Sequence, residues 1–148
     1  MSKDTLSINY TEPQKVKSKC LRDTWSEWLN RYDWEWWCTF TFRDNVTAKT
    51  ANRKWYKWLR MAENELADSP GYFRVTEMQT GRQVLHFHAL MLNVKRLRRL
   101  TYMDHWDHLA GFARIYPYQK DKGANHYLTK YISKSLSDYR MGGCILRT

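Results

Sequence analysis

The sequence predicts an α+β domain in which a central antiparallel sheet is packed with helices. Strand-like segments alternate along the chain with segments of helical periodicity, and two of the strands are joined by a tight turn. A tight turn joins antiparallel strands only, because parallel strands need a long crossover. The length of 148 residues is enough for one hydrophobic core and short for two.

Three regions are expected along this single domain. Residues 1–15 are polar and are predicted to be a flexible segment, residues 16–140 to form the folded domain, and residues 141–148 to be a tail. The sequence contains no Gly-x-x-x-x-Gly-Lys phosphate loop, so no helicase domain is expected.

The first half of the chain predicts a helix, a strand and a longer helix. The first helix is indicated by apolar residues at helical spacing, namely Leu21, Trp25, Trp28, Leu29 and Tyr32. A strand follows from Trp36 to Phe42. The longer helix has Asp44, Asn45 or Thr47 as its candidate N-cap. Its apolar face consists of Ala51, Trp55, Trp58, Leu59, Ala62 and Leu66.

The second half of the chain begins with a predicted hairpin. Its strands are Tyr72–Met78 and Val84–Leu92, with Thr80 and Gly81 as the turn. The elements expected after it are a helix from the basic segment 95–99 to Leu109 that Gly111 stops, a strand from Phe112 to Tyr118, and a helix over 124–136.

Two histidines flank one apolar residue in the second hairpin strand. Because side chains alternate between the faces of a strand, His86 and His88 point the same way and Phe87 points the other way. Burying two imidazoles in an apolar run costs free energy unless their nitrogens find a partner. The pattern therefore favours a shared metal ion, and hydrogen-bonded core histidines are the alternative.

Glu77 is the candidate third ligand. With a two-residue turn, Glu77 lies opposite Val84, one diagonal step from His86 and on the same face of the hairpin. Another turn length or a bulge would change this register. Glu77 is alternatively a solvated strand residue, or the partner of Arg74 or Arg82.

The final predicted helix carries two tyrosines and two lysines beside its apolar stripe. Its helical geometry places Tyr127 and Lys134 close together, Tyr131 nearer the stripe and Lys130 nearer solvent. A phenol has a pKa of about 10, so it needs nearby cations and a polarised electrophile to act as a nucleophile at neutral pH. Both tyrosines are nucleophile candidates, and packing at the helix boundary is the alternative for either one.

In this order along the chain, the segments resemble the three motifs of histidine-hydrophobe-histidine (HUH) endonucleases, in particular the rolling-circle replication initiators of phages, viruses and plasmids. The first motif resembles residues 37–44, an apolar strand with threonines followed by a turn. The second motif resembles Glu77 through His88, and the third resembles residues 127–134.

The resemblance implies a metal-dependent endonuclease that cuts single-stranded DNA or an origin hairpin. The product is a 5′-phosphotyrosine with a free 3′-hydroxyl that primes synthesis, while a host helicase and polymerase unwind and copy the DNA. The metal is Mg²⁺ or Mn²⁺, and the paired tyrosines resemble those that alternate between initiation and termination. The residues that receive roles by resemblance are the ligands Glu77, His86 and His88, the nucleophiles Tyr127 and Tyr131, and the charge-stabilising Lys130 and Lys134.

The composition also favours a nucleic-acid partner. Lys and Arg total 25 against 15 Asp and Glu, a formal net charge of +10, and aromatic residues make up 16% of the chain. Cationic side chains release counterions from a phosphate backbone, and exposed rings stack on unpaired bases. The candidate DNA-binding residues are Arg43, Arg53, Lys57, Arg82, Arg98 and Arg99, for which a merely solvating surface is the alternative.

Other features narrow the protein class. Three widely spaced cysteines without a Cys-x-x-Cys pair favour neither a disulfide framework nor a zinc site. With no long apolar window and no signal segment, the chain is expected to be a cytoplasmic protein that does not enter a membrane. The alternative functions are a single-strand transposase or relaxase with the same chemistry, and a non-catalytic single-stranded DNA-binding module.

Overall fold

The fold is built on a five-stranded sheet. A computed structural model describes residues 23–79, 84–123, 126–127 and 138–147 of the chain. The pairings between neighbouring strands are antiparallel, which confirms the predicted sheet. The strands are β1 (Trp36–Phe40), β2 (Gly71–Gln79), β3 (Val84–Leu92), β4 (Ala113–Pro117) and β5 (Tyr139–Gly142), in the spatial order β4-β1-β3-β2-β5.

Helices complete the predicted α+β class. Residues 23–29 are helical and are called α1, α2 is Ala48–Leu66, α3 is Arg99–Leu109, and Gly143–Arg147 form a 3₁₀ turn. Within the final predicted helix, residues 126–127 are described and helical, and most of its remaining residues lie outside the described part of the chain.

The sequence of α2 explains both its start and its buried face. The Thr47 side chain caps the helix by accepting a hydrogen bond from the backbone N–H of Thr50 at 3.2 Å. The helix ends where Ala67 takes a left-handed φ of 52°. All the predicted apolar positions are buried, because they recur at the helical period and pack on the sheet.

Helices α2 and α3 cover one face of the sheet, which we call the helical face. The Trp55 ring of α2 lies 5.3 Å from Phe40 and 6.2 Å from Phe87, and the Trp106 ring of α3 lies 4.9 Å from Phe40. The opposite, outer face carries the alternate strand positions, among them Val75, Leu90 and Phe73, which packs on Trp25 of α1 at 5.4 Å.

The C-terminal residues correct one expectation. The tail predicted at residues 141–148 begins inside the sheet, because Met141 and Gly142 belong to β5, which pairs with β2. A short polar strand with a glycine shows no clear two-residue alternation, so pattern alone did not reveal it. The predicted flexible segment 1–15 lies outside the described residues.

Gly111 connects α3 to β4 through a close backbone contact. A Cβ at this position would lie 2.5 Å from the carbonyl oxygen of Thr41 and 2.8 Å from the Cα of Phe42. The predicted helix-stopping glycine is therefore required by proximity, and its φ is not in the left-handed region.

Replacing Gly111 with alanine is expected to lower the free energy of unfolding by about 1–3 kcal/mol, because backbone atoms must move to accommodate the methyl group. Urea unfolding followed by circular dichroism measures the change. Lys57→Ala, on the exposed side of α2, is the control and should shift stability by less than about 0.5 kcal/mol. An unchanged midpoint for Gly111→Ala would contradict the proximity argument.

Candidate active site

Glu77, His86 and His88 meet on the outer face where β2 pairs with β3. Glu77 is directly opposite His86, and Gln79 is opposite Val84. The predicted diagonal register is therefore wrong by two residues, because the strands are separated by a connection longer than a two-residue turn. A shift of two keeps every side chain on its predicted face, so the three predicted ligands still converge.

The distances within this triad fit a metal site. The Glu77 Oε1 lies 3.8 Å from His86 Nδ1 and 3.5 Å from His88 Nε2. One ligand atom from each residue lies within 4.8 Å of the other two. Two imidazole nitrogens and one carboxylate oxygen on a single face leave further coordination positions open for water or substrate. The donor set therefore fits one divalent cation.

Thr39 of β1 orients the buried ligand His88. The two residues are direct cross-strand partners, and the Thr39 hydroxyl lies 3.2 Å from His88 Nδ1. With Nδ1 engaged, Nε2 is the nitrogen directed at Glu77. Sequence reasoning quoted Thr39 in the first motif without a role, although its two-residue spacing from Trp37 and Thr41 could have shown that it shares a face with them.

The electrostatic setting keeps the more accessible imidazole in its metal-binding form. Burial lowers the pKa of His86, the Glu77 carboxylate opposes this shift, and the neighbouring His88 adds to it. A lowered pKa favours the neutral ring, which is the form that donates a lone pair to a metal.

Replacing Thr39 with valine is expected to weaken metal binding about 10- to 100-fold, because His88 loses the partner that fixes its ring. Titration calorimetry with Mn²⁺ measures the affinity directly. Thr39→Ser keeps the hydroxyl and should bind Mn²⁺ like the parent protein. Equal affinities for the valine and serine variants would show that this hydrogen bond does not position the ligand.

Arg74 lies beneath the residue between the two histidines. Its guanidinium carbon is 3.9 Å from the ring centroid of Phe87, and its Nη2 donates to the Asn52 side chain at 2.6 Å. Burial lowers the pKa of Arg74 to about 10, so the group is still charged at neutral pH. Because Arg74 and Glu77 are three residues apart in β2, they point to opposite faces, and the suggested ion pair between them is wrong.

Tyr127 lies on the same face of the sheet as the triad. Its ring centroid is 5.2 Å from Trp37, which alternates with Thr39 on β1, and 5.0 Å from Tyr118. Its hydroxyl accepts a hydrogen bond from the backbone N–H of Gln119 at 3.0 Å. The start of the third motif is therefore brought to the outer face, with Tyr127 half-buried and packed.

The structure does not gather the predicted DNA-binding cations around the triad. Arg43 is exposed and pairs with Asp107 of α3 at 3.1 Å. Arg53 and Lys57 lie on the exposed side of α2, which covers the helical face. These residues therefore lie away from the outer face or at its margin.

The remaining predicted site residues divide into two groups. Arg98 is the N-cap residue of α3, and Arg99 donates to the carbonyl oxygen of Ile115 in β4 at 3.1 Å. The other predicted residues lie outside the described part of the chain, and these are Arg82, Lys130, Tyr131 and Lys134.

Comparison with known proteins identifies a family. The family model of the replication-associated protein ORF2 matches residues 35–136, more than half of the chain. No curated protein and no solved structure matches the chain. The matched range contains the triad, Thr39 and both tyrosines of the third motif. The described part of the chain contains no helix long and apolar enough to cross a bilayer.

Proposed function

The chain belongs to the replication-associated protein ORF2 family, and from this premise we propose that it is a metal-dependent endonuclease that nicks and rejoins single-stranded DNA to initiate rolling-circle replication. The observation that carries the proposal is the convergence of Glu77, His86 and His88 on one face of the sheet. The Tyr127 segment packs on that same face, so ligands and nucleophile candidates share one surface.

Glu77, His86 and His88 would hold Mg²⁺ or Mn²⁺ in this proposal. When bound, the cation supplies Lewis-acid polarisation of the scissile phosphate. Thr39 keeps the His88 ring in its binding orientation, and Arg74 holds Phe87 on the helical face so that the two histidines project outward. This division of labour places the ligands on rigid strands rather than on loops, which favours precise geometry.

The chemical step we propose is a transesterification at a phosphodiester. The oxygen of a tyrosine hydroxyl forms a bond to phosphorus, and the bond from phosphorus to the 3′-oxygen breaks. The phenol loses its proton, the leaving 3′-oxygen gains one, and the phosphoester is conserved as a 5′-phosphotyrosine. Attack by a 3′-hydroxyl on this intermediate reverses the step and rejoins the strand without an external energy source.

We assign the first attack to Tyr131. The hydroxyl of Tyr127 already accepts the Gln119 N–H, and its ring is packed between Trp37 and Tyr118, which suits a positioning role. Tyr131 is four residues further on, one turn along the helix predicted from the sequence. Lys130 and Lys134 would stabilise the charge that develops on the phosphate.

The proposed partners follow from this activity. The substrate is single-stranded DNA or the exposed strand of an origin hairpin, and a host helicase and polymerase would act on the nicked product. The test is formation of a protein–DNA adduct that survives denaturation and requires a divalent metal. A phosphotyrosine bond survives denaturation because it is covalent, whereas a merely bound strand is released.

A further inference from the structure

We propose that Phe112, Arg114 and Tyr116 form a stripe that binds single-stranded DNA beside the triad. This stripe lies at and along β4, the edge strand of the sheet. The proposal rests on the proposed function, because it identifies the surface that carries the substrate to the same site. None of these three residues is among the cations predicted from the sequence to bind DNA.

The stripe shares the outer face with the triad. Arg114 is the cross-strand partner of Thr39, which in turn pairs with His88, so the three lie in one row across the sheet. Two strand spacings, about 10 Å, separate Arg114 from His88 along that row. Arg114 is exposed, and no other strand lies beyond it in the described sheet.

The aromatic members are exposed to an extent that the core does not require. Phe112 is 57% exposed and Tyr116 is 44% exposed, whereas Ala113 and Ile115 between them are buried. Tyr116 stacks on Trp37 with ring centroids 5.7 Å apart and an interplanar angle of 20°. This stack leaves the phenol ring fixed with solvent access, which favours addition of one more planar ring.

The charge of the stripe identifies the kind of partner. The Arg114 guanidinium carbon lies 5.5 Å from the Phe112 ring centroid, so a cation stands between two exposed rings. Rings accept the π-face of any unpaired base, and a guanidinium between them accepts a phosphate. Paired bases in a duplex offer no free faces to such rings. The pattern therefore favours a single strand over a duplex or an apolar protein surface.

The surroundings extend this surface. A groove of about 590 Å³ separates β4 from α3 and is lined by all three stripe residues together with Arg99. Two carboxylates also line it, of which Asp107 is neutralised by its ion pair with Arg43, leaving Asp104 as the exposed acid. With a net charge of +10 on the chain, the long-range field also attracts a polyanion.

The direction of the stripe links the two parts of the site. At one end Tyr116 contacts Trp37, on which Tyr127 also packs. At the other end the Phe112 backbone bonds to Thr41, next to the row that holds His86 and Glu77. A strand lying along β4 therefore passes from the tyrosine segment to the metal ligands.

The test measures binding with catalysis switched off. Fluorescence anisotropy of a labelled single-stranded oligonucleotide pool, in chelator, gives affinities for the parent protein, Phe112→Ala, Tyr116→Ala and Arg114→Gln. We expect each alanine variant to bind about 5-fold or more weakly, as is typical when a stacking ring is removed. Arg114→Gln should lower the slope of log affinity against log salt by about one.

Matched variants make the result decisive. Tyr116→Phe keeps the ring and should bind like the parent, and Tyr56→Ala removes a ring of similar exposure from α2, on the other side of the sheet. Equal losses for Tyr56→Ala, unchanged affinity for the stripe variants, or equal losses for a blunt duplex of the same sequence would each overturn the proposal. Because the assay needs no cleavage, its failure is distinguishable from failure of nicking by the parent protein.

Discussion

Replacing His88 with alanine is expected to lower the rate of metal-dependent DNA cleavage by about 100-fold or more, because one of three ligands is lost. The affinity for Mn²⁺ should fall in parallel, since two remaining donors hold a divalent cation poorly. A quenched-flow or gel assay of nicking and titration calorimetry with Mn²⁺ provide the two measurements. Single-stranded DNA binding in chelator should change little.

Two control variants separate ligand loss from misfolding. His108→Ala removes an exposed histidine at the end of α3 and should leave both nicking and Mn²⁺ affinity unchanged. Glu77→Gln preserves the shape of the triad but removes its charge, so it should weaken Mn²⁺ binding without lowering the melting temperature. Parent-level cleavage by a folded His88→Ala protein would rule out this triad as the metal site.

Tyr131→Phe is expected to abolish the covalent adduct with DNA, because removing the hydroxyl removes the attacking oxygen. The residual cleavage rate should be below about one-thousandth of the parent rate, as is typical when a nucleophile is lost. Tyr127→Phe should still form the adduct, more slowly, since its hydroxyl bonds to the Gln119 backbone. Denaturing gels and mass spectrometry of the DNA-linked peptide identify the attacking residue.

The opposite pattern has an equally definite meaning. An adduct in Tyr131→Phe and none in Tyr127→Phe would reverse the assignment and show that the Tyr127 hydroxyl leaves Gln119 when DNA binds. Tyr118→Phe is the control, because its ring packs on Tyr127. It should form the adduct at close to the parent rate.

The parts of the fold that depend on local periodicity were predictable. The buried face of α2 follows from apolar residues at the helical period, and Thr47 is one of its three predicted N-cap candidates. The convergence of the triad was also predictable, because strand faces alternate with a period of two. Its register was not, since the length of the connection between β2 and β3 decides which residue stands opposite Glu77.

What the sequence could not show depends on pairing between distant segments. Thr39 and Arg114 join the His88 row only because β1 lies between β3 and β4, and no local pattern specifies that order. Arg74 reads as a surface residue by composition, yet it is buried because it packs against Phe87 and Trp55. Strand β5 depends similarly on its long-range pairing with β2.

The central claim is that this chain joins itself covalently to single-stranded DNA in a metal-dependent step. The most direct measurement incubates the protein with an end-labelled single-stranded library containing a random internal segment, with Mn²⁺ or with chelator, and resolves the products on a denaturing gel. The account predicts a shifted protein–DNA band with Mn²⁺ and none with chelator, while DNA binding persists in both. Binding without a band under either condition would contradict it and favour a non-catalytic single-stranded DNA-binding module.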